Sequence, residues 1–130
     1  MMLEKTETQS YPGLEYLPSG NGTEYKIGQC LKIASGVATL GADEPEYICF
    51  GERTGKTGDL IPAIRILAGE TYAAPLSQAG TALKIGDKVS IASDGIRLTA
   101  TTGGIAEIIG FATASKAAGD LVYVKFRKED

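Results

Sequence analysis

Histidine and tryptophan are absent from this chain of 130 residues, and only two cysteines are present. Without histidine there is no Ser-His-Asp or Cys-His nucleophile pair and no His-ligated zinc. Nor is there an imidazole to carry protons near neutral pH. Cys30 and Cys49 both sit among apolar neighbours, where a free thiol behaves as a small buried hydrophobe; two such residues suit a reduced protein better than a disulfide scaffold. Long apolar runs are missing too. The stretch Ile105–Ala114 is short and carries Glu107, so no membrane span is expected. The opening residues Met1-Met2-Leu3-Glu4-Lys5 lack a basic segment followed by an apolar one, so no secretory signal is expected. Positive charge is also short, with 13 Lys and Arg against 16 Asp and Glu and a net charge of −3. A surface built to wrap nucleic acid or anionic lipid would be basic.

Glycine, by contrast, is abundant: 17 residues, close to twice the ordinary share of ~7%. Its placement follows an internal repeat. The segment Lys26-Ile27-Gly28-Gln29-Cys30-Leu31-Lys32-Ile33-Ala34-Ser35-Gly36-Val37 returns as Lys84-Ile85-Gly86-Asp87-Lys88-Val89-Ser90-Ile91-Ala92-Ser93-Asp94-Gly95-Ile96. Downstream, Gly58-Asp59-Leu60-Ile61 returns as Gly119-Asp120-Leu121-Val122, and Tyr47–Gly51 matches Glu107–Phe111 between them. Two related halves, about 24–68 and 82–126, are therefore expected, joined by 69–81. At this length a core shared by both halves is expected.

Within each half the apolar period is two. Leu31 and Ile33 flank Lys32, Val89 and Ile91 flank Ser90, and Val122, Val124 and Phe126 alternate with Tyr123 and Lys125. Alternation of this kind marks half-buried strands. Glycine turns every eight to twelve residues, roughly, mark a sandwich or barrel. The expected fold is all-β, a small β-barrel or sandwich of two repeated halves forming a single domain over 24–130. Residues 1–23 lie outside the repeat and read as an extended N-terminal arm. Tyr11, Leu14, Tyr16 and Leu17 in this arm are the candidate binding residues. They could lie back on the barrel as a flap, or order on a partner surface.

Several motifs invite a catalytic or ligand-binding reading and fail it. Gly51-Glu52-Arg53-Thr54-Gly55-Lys56-Thr57 resembles a phosphate loop but has three residues between its glycines where four are needed. Gly58 and Pro62 then follow, where a helix should begin. Asp43, Glu44 and Glu46 form an acidic cluster that Pro45 interrupts, unlike a calcium loop. No carboxylate pair is set in an apolar cleft as glycoside hydrolysis needs. The Gly86-Asp87 strand entry is shared with RNA-binding SH3-like barrels, but those rely on basic and aromatic faces. No enzyme activity, cofactor or metal is expected. A small β-barrel binding module for carbohydrate or protein remains the alternative, with Tyr72 and Tyr123 as its only aromatic candidates.

The second half resembles tailed-phage and prophage head decoration proteins. The resemblance is carried by Gly86-Asp87-Lys88-Val89, Ser93-Asp94-Gly95-Ile96, Thr101-Thr102-Gly103-Gly104, Ile109-Gly110-Phe111-Ala112 and Ala117-Ala118-Gly119-Asp120-Leu121-Val122-Tyr123-Val124. It covers about 80–130 directly and 24–68 through the repeat. It implies a structural protein without catalysis that binds the outside of an assembled capsid and stabilises it. Its partner would be the shell of major capsid protein, and it would itself be a homotrimer. It would reside in the host cytoplasm during assembly and then on the virion surface. By position, Tyr11, Leu14, Tyr16 and Leu17 would grip the shell.

Overall fold

The computed structural model describes residues 1–5, 13–100 and 104–126. All regular structure among them is β. In chain order the strands are β1 (Met2–Lys5), β2 (Leu14–Pro18), β3 (Glu24–Tyr25), β4 (Cys30–Ala34), β5 (Val37–Leu40), β6 (Tyr47–Cys49), β7 (Arg53–Thr54) and β8 (Leu60–Arg65). They continue as β9 (Thr71–Pro75), β10 (Lys88–Ile91), β11 (Leu98–Ala100), β12 (Ala106–Phe111) and β13 (Leu121–Phe126).

The repeat is written into the topology. One sheet runs β2-β8-β6-β4-β5, and the other runs β1-β9-β13-β12-β10-β11. Strand for strand, β2, β4, β5, β6 and β8 correspond to β9, β10, β11, β12 and β13. The hydrogen bonds between loops repeat as well. Gly28 N–H donates to Cys49 O at 2.9 Å, and Gly86 N–H to Ile108 O at 2.8 Å. Ser19 N–H donates to Asp59 O at 3.0 Å, and Leu76 N–H to Asp120 O at 2.9 Å. Gly28 and Gly86 have φ of 87° and 96°, a left-handed conformation that penalises any side chain. The shared Lys-Ile-Gly motif is thus the backbone corner that turns each half into its first long strand.

In each half the five equivalent strands curl until β2 nears β5 and β9 nears β11. An isolated parallel bridge joins Ser19 to Ala38 in the first half, and another joins Leu76 to Leu98 in the second. The halves are barrel-like, each closed at one point and without a continuous ladder across the seam. The chain builds two cores, one belonging to the first half alone and a larger one shared between the halves. Leu17, Tyr25, Leu31, Ala38, Tyr47, Cys49, Ile61 and Ala63 cluster inside the first half. The larger cluster fills the second half, with Val89, Leu98, Ile108, Val122 and Val124 fully buried. It also takes in Cys30, Ile48 and Ile64 from the first half. These three align across β4, β6 and β8 and so share the sheet's other face. The first half therefore buries both faces of its central strands, one around its own core and one against its twin.

Two expected boundaries move. The joining segment 69–81 contains β9, which reads poorly as a strand because Tyr72, Ala73 and Ala74 are all buried and show no alternation. Residues 1–23, expected to stand apart as an arm, supply edge strands to both sheets. β1 pairs antiparallel with β9, with Met2 opposite Ala73 and Lys5 opposite Thr71. β2 pairs antiparallel with β8 from Leu14–Ile64 to Pro18–Leu60. The prolines obscure β2 in the sequence, yet an edge strand tolerates Pro18 because its missing N–H faces away from the ladder.

Candidate functional site: an apolar face on the first half

Alternation along β2 separates the four candidate residues. Leu17 lies opposite Ile61, faces the first-half core and is buried. It cannot touch a partner, which corrects its grouping with the other three. Leu14 and Tyr16 point to the opposite face and are 53% and 60% exposed. Tyr11 falls outside the described residues.

The neighbouring strand completes the face. Leu14, Tyr16 and Pro18 stand opposite Ile64, Pro62 and Leu60, so six residues of a two-strand ribbon present apolar side chains to one side. Leu60 is 51% exposed, while Ile64 at the far end is buried in the larger cluster. Sequence reasoning missed the β8 contribution. The available signal was the alternation of Leu60, Pro62 and Ile64 with the inward-facing Ile61 and Ala63.

The second half carries only a reduced version of this face. The residues equivalent to Leu14, Tyr16 and Pro18 are Thr71, Ala73 and Pro75, set opposite Lys125, Tyr123 and Leu121. Thr71 and Ala73 are buried, where β1 covers their edge. At the positions of Leu14 and Tyr16 one backbone frame therefore carries small, covered residues in one half and large, exposed ones in the other, while Leu121, equivalent to Leu60, is itself 43% exposed. Scattered apolar residues on a surface need no explanation, but a contiguous stripe is a docking feature.

A charged cluster lines the other side of the same ribbon. Arg65 Nε and Nη2 donate to the two carboxylate oxygens of Glu15, each at 3.2 Å, and Nη2 also donates to the Tyr47 hydroxyl at 2.7 Å. The guanidinium lies over the Tyr47 ring, 4.8 Å from its centre. The hydrogen bonds to Glu15 push the guanidinium pKa further up. Fork-to-fork pairing fixes the rotamers of both side chains. The cluster thereby pins β2 to β8 at the end where the apolar stripe begins.

The remaining candidates have structural roles. Cys30 and Cys49 are free and buried. They point to opposite sides of the first sheet, into different clusters, so they cannot pair. Burial raises both thiols, Cys30 to about 12. Asp43 accepts two 2.9 Å hydrogen bonds from Lys32 Nζ, which hold its carboxyl below the usual range. Glu46 accepts from Ile33 N–H. The acidic cluster is thus engaged with its own strand, and among the described residues no group of side chains is arranged to hold a metal ion. The loop that resembled a phosphate cradle enters β7, which pairs with β3. Tyr72 is fully buried, its hydroxyl accepting from Leu67 N–H at 2.9 Å, which removes it from any aromatic platform for sugars. No protein-family model and no curated protein matches this chain.

Proposed function

We propose that this chain is a structural protein that binds the outer surface of an assembled phage capsid and stabilises it, using the apolar face of β2 and β8 as the seat. The observation that carries this reading is the half-exposed stripe Leu14, Tyr16 and Leu60 on a framework whose twin half keeps small, buried residues at the positions of Leu14 and Tyr16, leaving Leu121 exposed in the place of Leu60. The sequence resemblance of the second half to head decoration proteins supplies the partner. Tyrosine and leucine on a rigid strand offer large contact area at little cost in side-chain entropy. A flat stripe of this size binds weakly alone and gains occupancy when several copies engage a repeating shell.

Co-sedimentation of the purified protein with expanded and unexpanded shells tests the reading. Binding to expanded shells, reduced at least tenfold by the double substitution Leu14→Ser and Tyr16→Ser, is the expected result. Equal failure to sediment with either shell rejects it. Point variants are preferable to removing residues 1–22, because that deletion also strips β1 and β2 from the two sheets.

A further inference from the structure

The join between the halves brings together two unlike surfaces. One is the row across β4, β6 and β8 of the first half, where Ile48 stands between Cys30 and Ile64. The other is the end of the second half that carries the Asp94-Gly95 turn, with Ile91, Tyr72 and Phe126. All six side chains are buried in the larger cluster. Cys30 N–H donates to Gly95 O at 2.7 Å. A methyl group on Gly95 would lie 2.5 Å from Leu40 Cδ1 and 2.9 Å from Gln29 Cγ. The row of one half is thus seated on the end of its twin, head to tail. Each half therefore keeps one surface that this join does not use. The spare row, on the second half, is Lys88, Glu107 and Lys125, with Glu107 opposite both lysines. The ladder sets Ile48, not Tyr47, in the place of Glu107. The spare end, on the first half, has Glu15, Arg65 and Ile33 in the places of Tyr72, Phe126 and Ile91. Ile33 is 38% exposed and Ile91 only 6%.

We propose that these two charged surfaces are end stops, which prevent other copies of the chain from adding on through the contact that joins its own halves. A head-to-tail contact does not close on itself, so two like units with apolar surfaces at both ends would grow into a filament. Arrays of repeated units stay soluble when their terminal surfaces are polar. Here the frame itself does not demand charge, because the same positions are apolar inside the join. Seating an apolar end on Lys88, Glu107 and Lys125 would strip water from three charges, and seating a row on Glu15 and Arg65 would strip it from two more. Nor do the charges invite a partner of opposite sign. Lys88 Nζ lies 2.7 Å from Glu107 Oε1 and Arg65 Nε lies 3.2 Å from Glu15 Oε2, so each carboxylate is engaged within its own surface.

The role of these surfaces does not depend on what the stripe of β2 and β8 binds, and its test uses the purified protein alone. Two sets of substitutions copy the joined surfaces onto the spare ones. A row variant carries Lys88→Val, Glu107→Ile and Lys125→Ile; an end variant carries Glu15→Tyr and Arg65→Phe. None of the five positions is buried, so both variants should unfold cooperatively on heating, as the native protein does. Residues 66–70 tether the joined halves and separate chains lack that tether, so sedimentation velocity is run at high protein concentration. Each variant alone is expected to sediment as the native protein does. Their mixture is expected to pair one to one and stop there, at least tenfold more tightly than either variant associates with itself. All five substitutions in one chain are expected to give assemblies that lengthen with concentration. Lys125→Ile mixed with Arg65→Phe repeats the comparison with the least change to either half, and the same ordering is expected. No association in the mixtures or in the five-fold variant overturns the proposal. So does self-association of either variant as strong as that of the mixture, which is the mark of indiscriminate apolar contact.

Discussion

Arg65 and Phe126 occupy the same position in the two halves of the chain. Arg65 lies opposite Tyr47 at the end of β8, and Phe126 lies opposite Ala106 at the end of β13. Their neighbours across the sheet, Glu15 and Tyr72, are equivalent as well, facing Ala63 and Val124. At this end the first half is closed by a half-exposed ion pair over a tyrosine ring. The second is closed by an edge-to-face contact between Tyr72 and Phe126, with ring centres 5.5 Å apart and planes at 73°. The same frame has become a wet end in one half and a dry end in the other.

The two substitutions that probe this difference should therefore differ in cost. Phe126→Ala removes a buried ring and leaves a void beside Tyr72, a loss of about 3–4 kcal/mol. Arg65→Ala breaks an exposed pair, where solvent screens most of the attraction, and should cost about 1 kcal/mol or less. Urea unfolding of both variants measures the gap. Comparable losses would mean that the charged cluster supports the fold as much as the aromatic pair does.

The difference between the halves also explains which parts of the fold were legible. The Lys-Ile-Gly corner and the strands after it could be read because backbone geometry demands the same residues twice, as at Gly28 and Gly86. β9 was not legible: Thr71-Tyr72-Ala73-Ala74 is buried on both sides and loses the alternation by which strands are recognised. β2 alternates, but its equivalence to β9 rests on register with β8 and β13 and not on shared side chains, since Pro18 and Pro75 alone coincide. Exposure of Leu14 and Tyr16 follows from that register. Burial of Leu17 follows from it too, and no property of the isolated segment separates the three.

Cys30 makes stability depend on alkaline pH. Burial lifts its thiol from the ordinary 9.0 to about 12, so above pH 9 the unfolded chain releases a proton that the folded chain keeps. Fewer protons on the unfolded side give a negative slope of stability against pH. Its contribution is complete below about pH 9 and is lost as pH rises toward 12, at up to ~1.4 kcal/mol per pH unit. Cys49 and Tyr72, both raised by burial, act in the same direction. Urea unfolding at pH 8 and pH 10.5 should therefore show a marked loss in the native protein. Replacing Cys30 with valine, which has no proton to release, should make that loss smaller by about 2 kcal/mol. An unchanged pH dependence in the Cys30→Val variant would show that this thiol is not the responsible group.

Two glycines outside the matched motifs complete the duplication, and they give the sharpest test of it. A methyl group added to Gly41 would lie 2.7 Å from the carbonyl carbon of Leu31, and one added to Gly104 would lie 2.4 Å from that of Val89. Leu31 and Val89 are equivalent residues of β4 and β10. In each half, then, the connection that follows the first hairpin runs so close over the same strand residue that only hydrogen fits. The obstructing atoms are backbone and cannot swing away, so the chain must bend or the ladder must open. Gly41→Ala and Gly104→Ala should each destabilise the protein by about 2 kcal/mol or more, measured as a shift in urea midpoint. Gly13→Ala is the control, because no atom of the described residues lies within 4 Å of its added methyl. Restricting the unfolded chain at that open site should leave stability unchanged or raise it by about 0.5 kcal/mol. Tolerance of alanine at Gly41 but not at Gly104 would mean that the first half yields to strain that the second half cannot absorb.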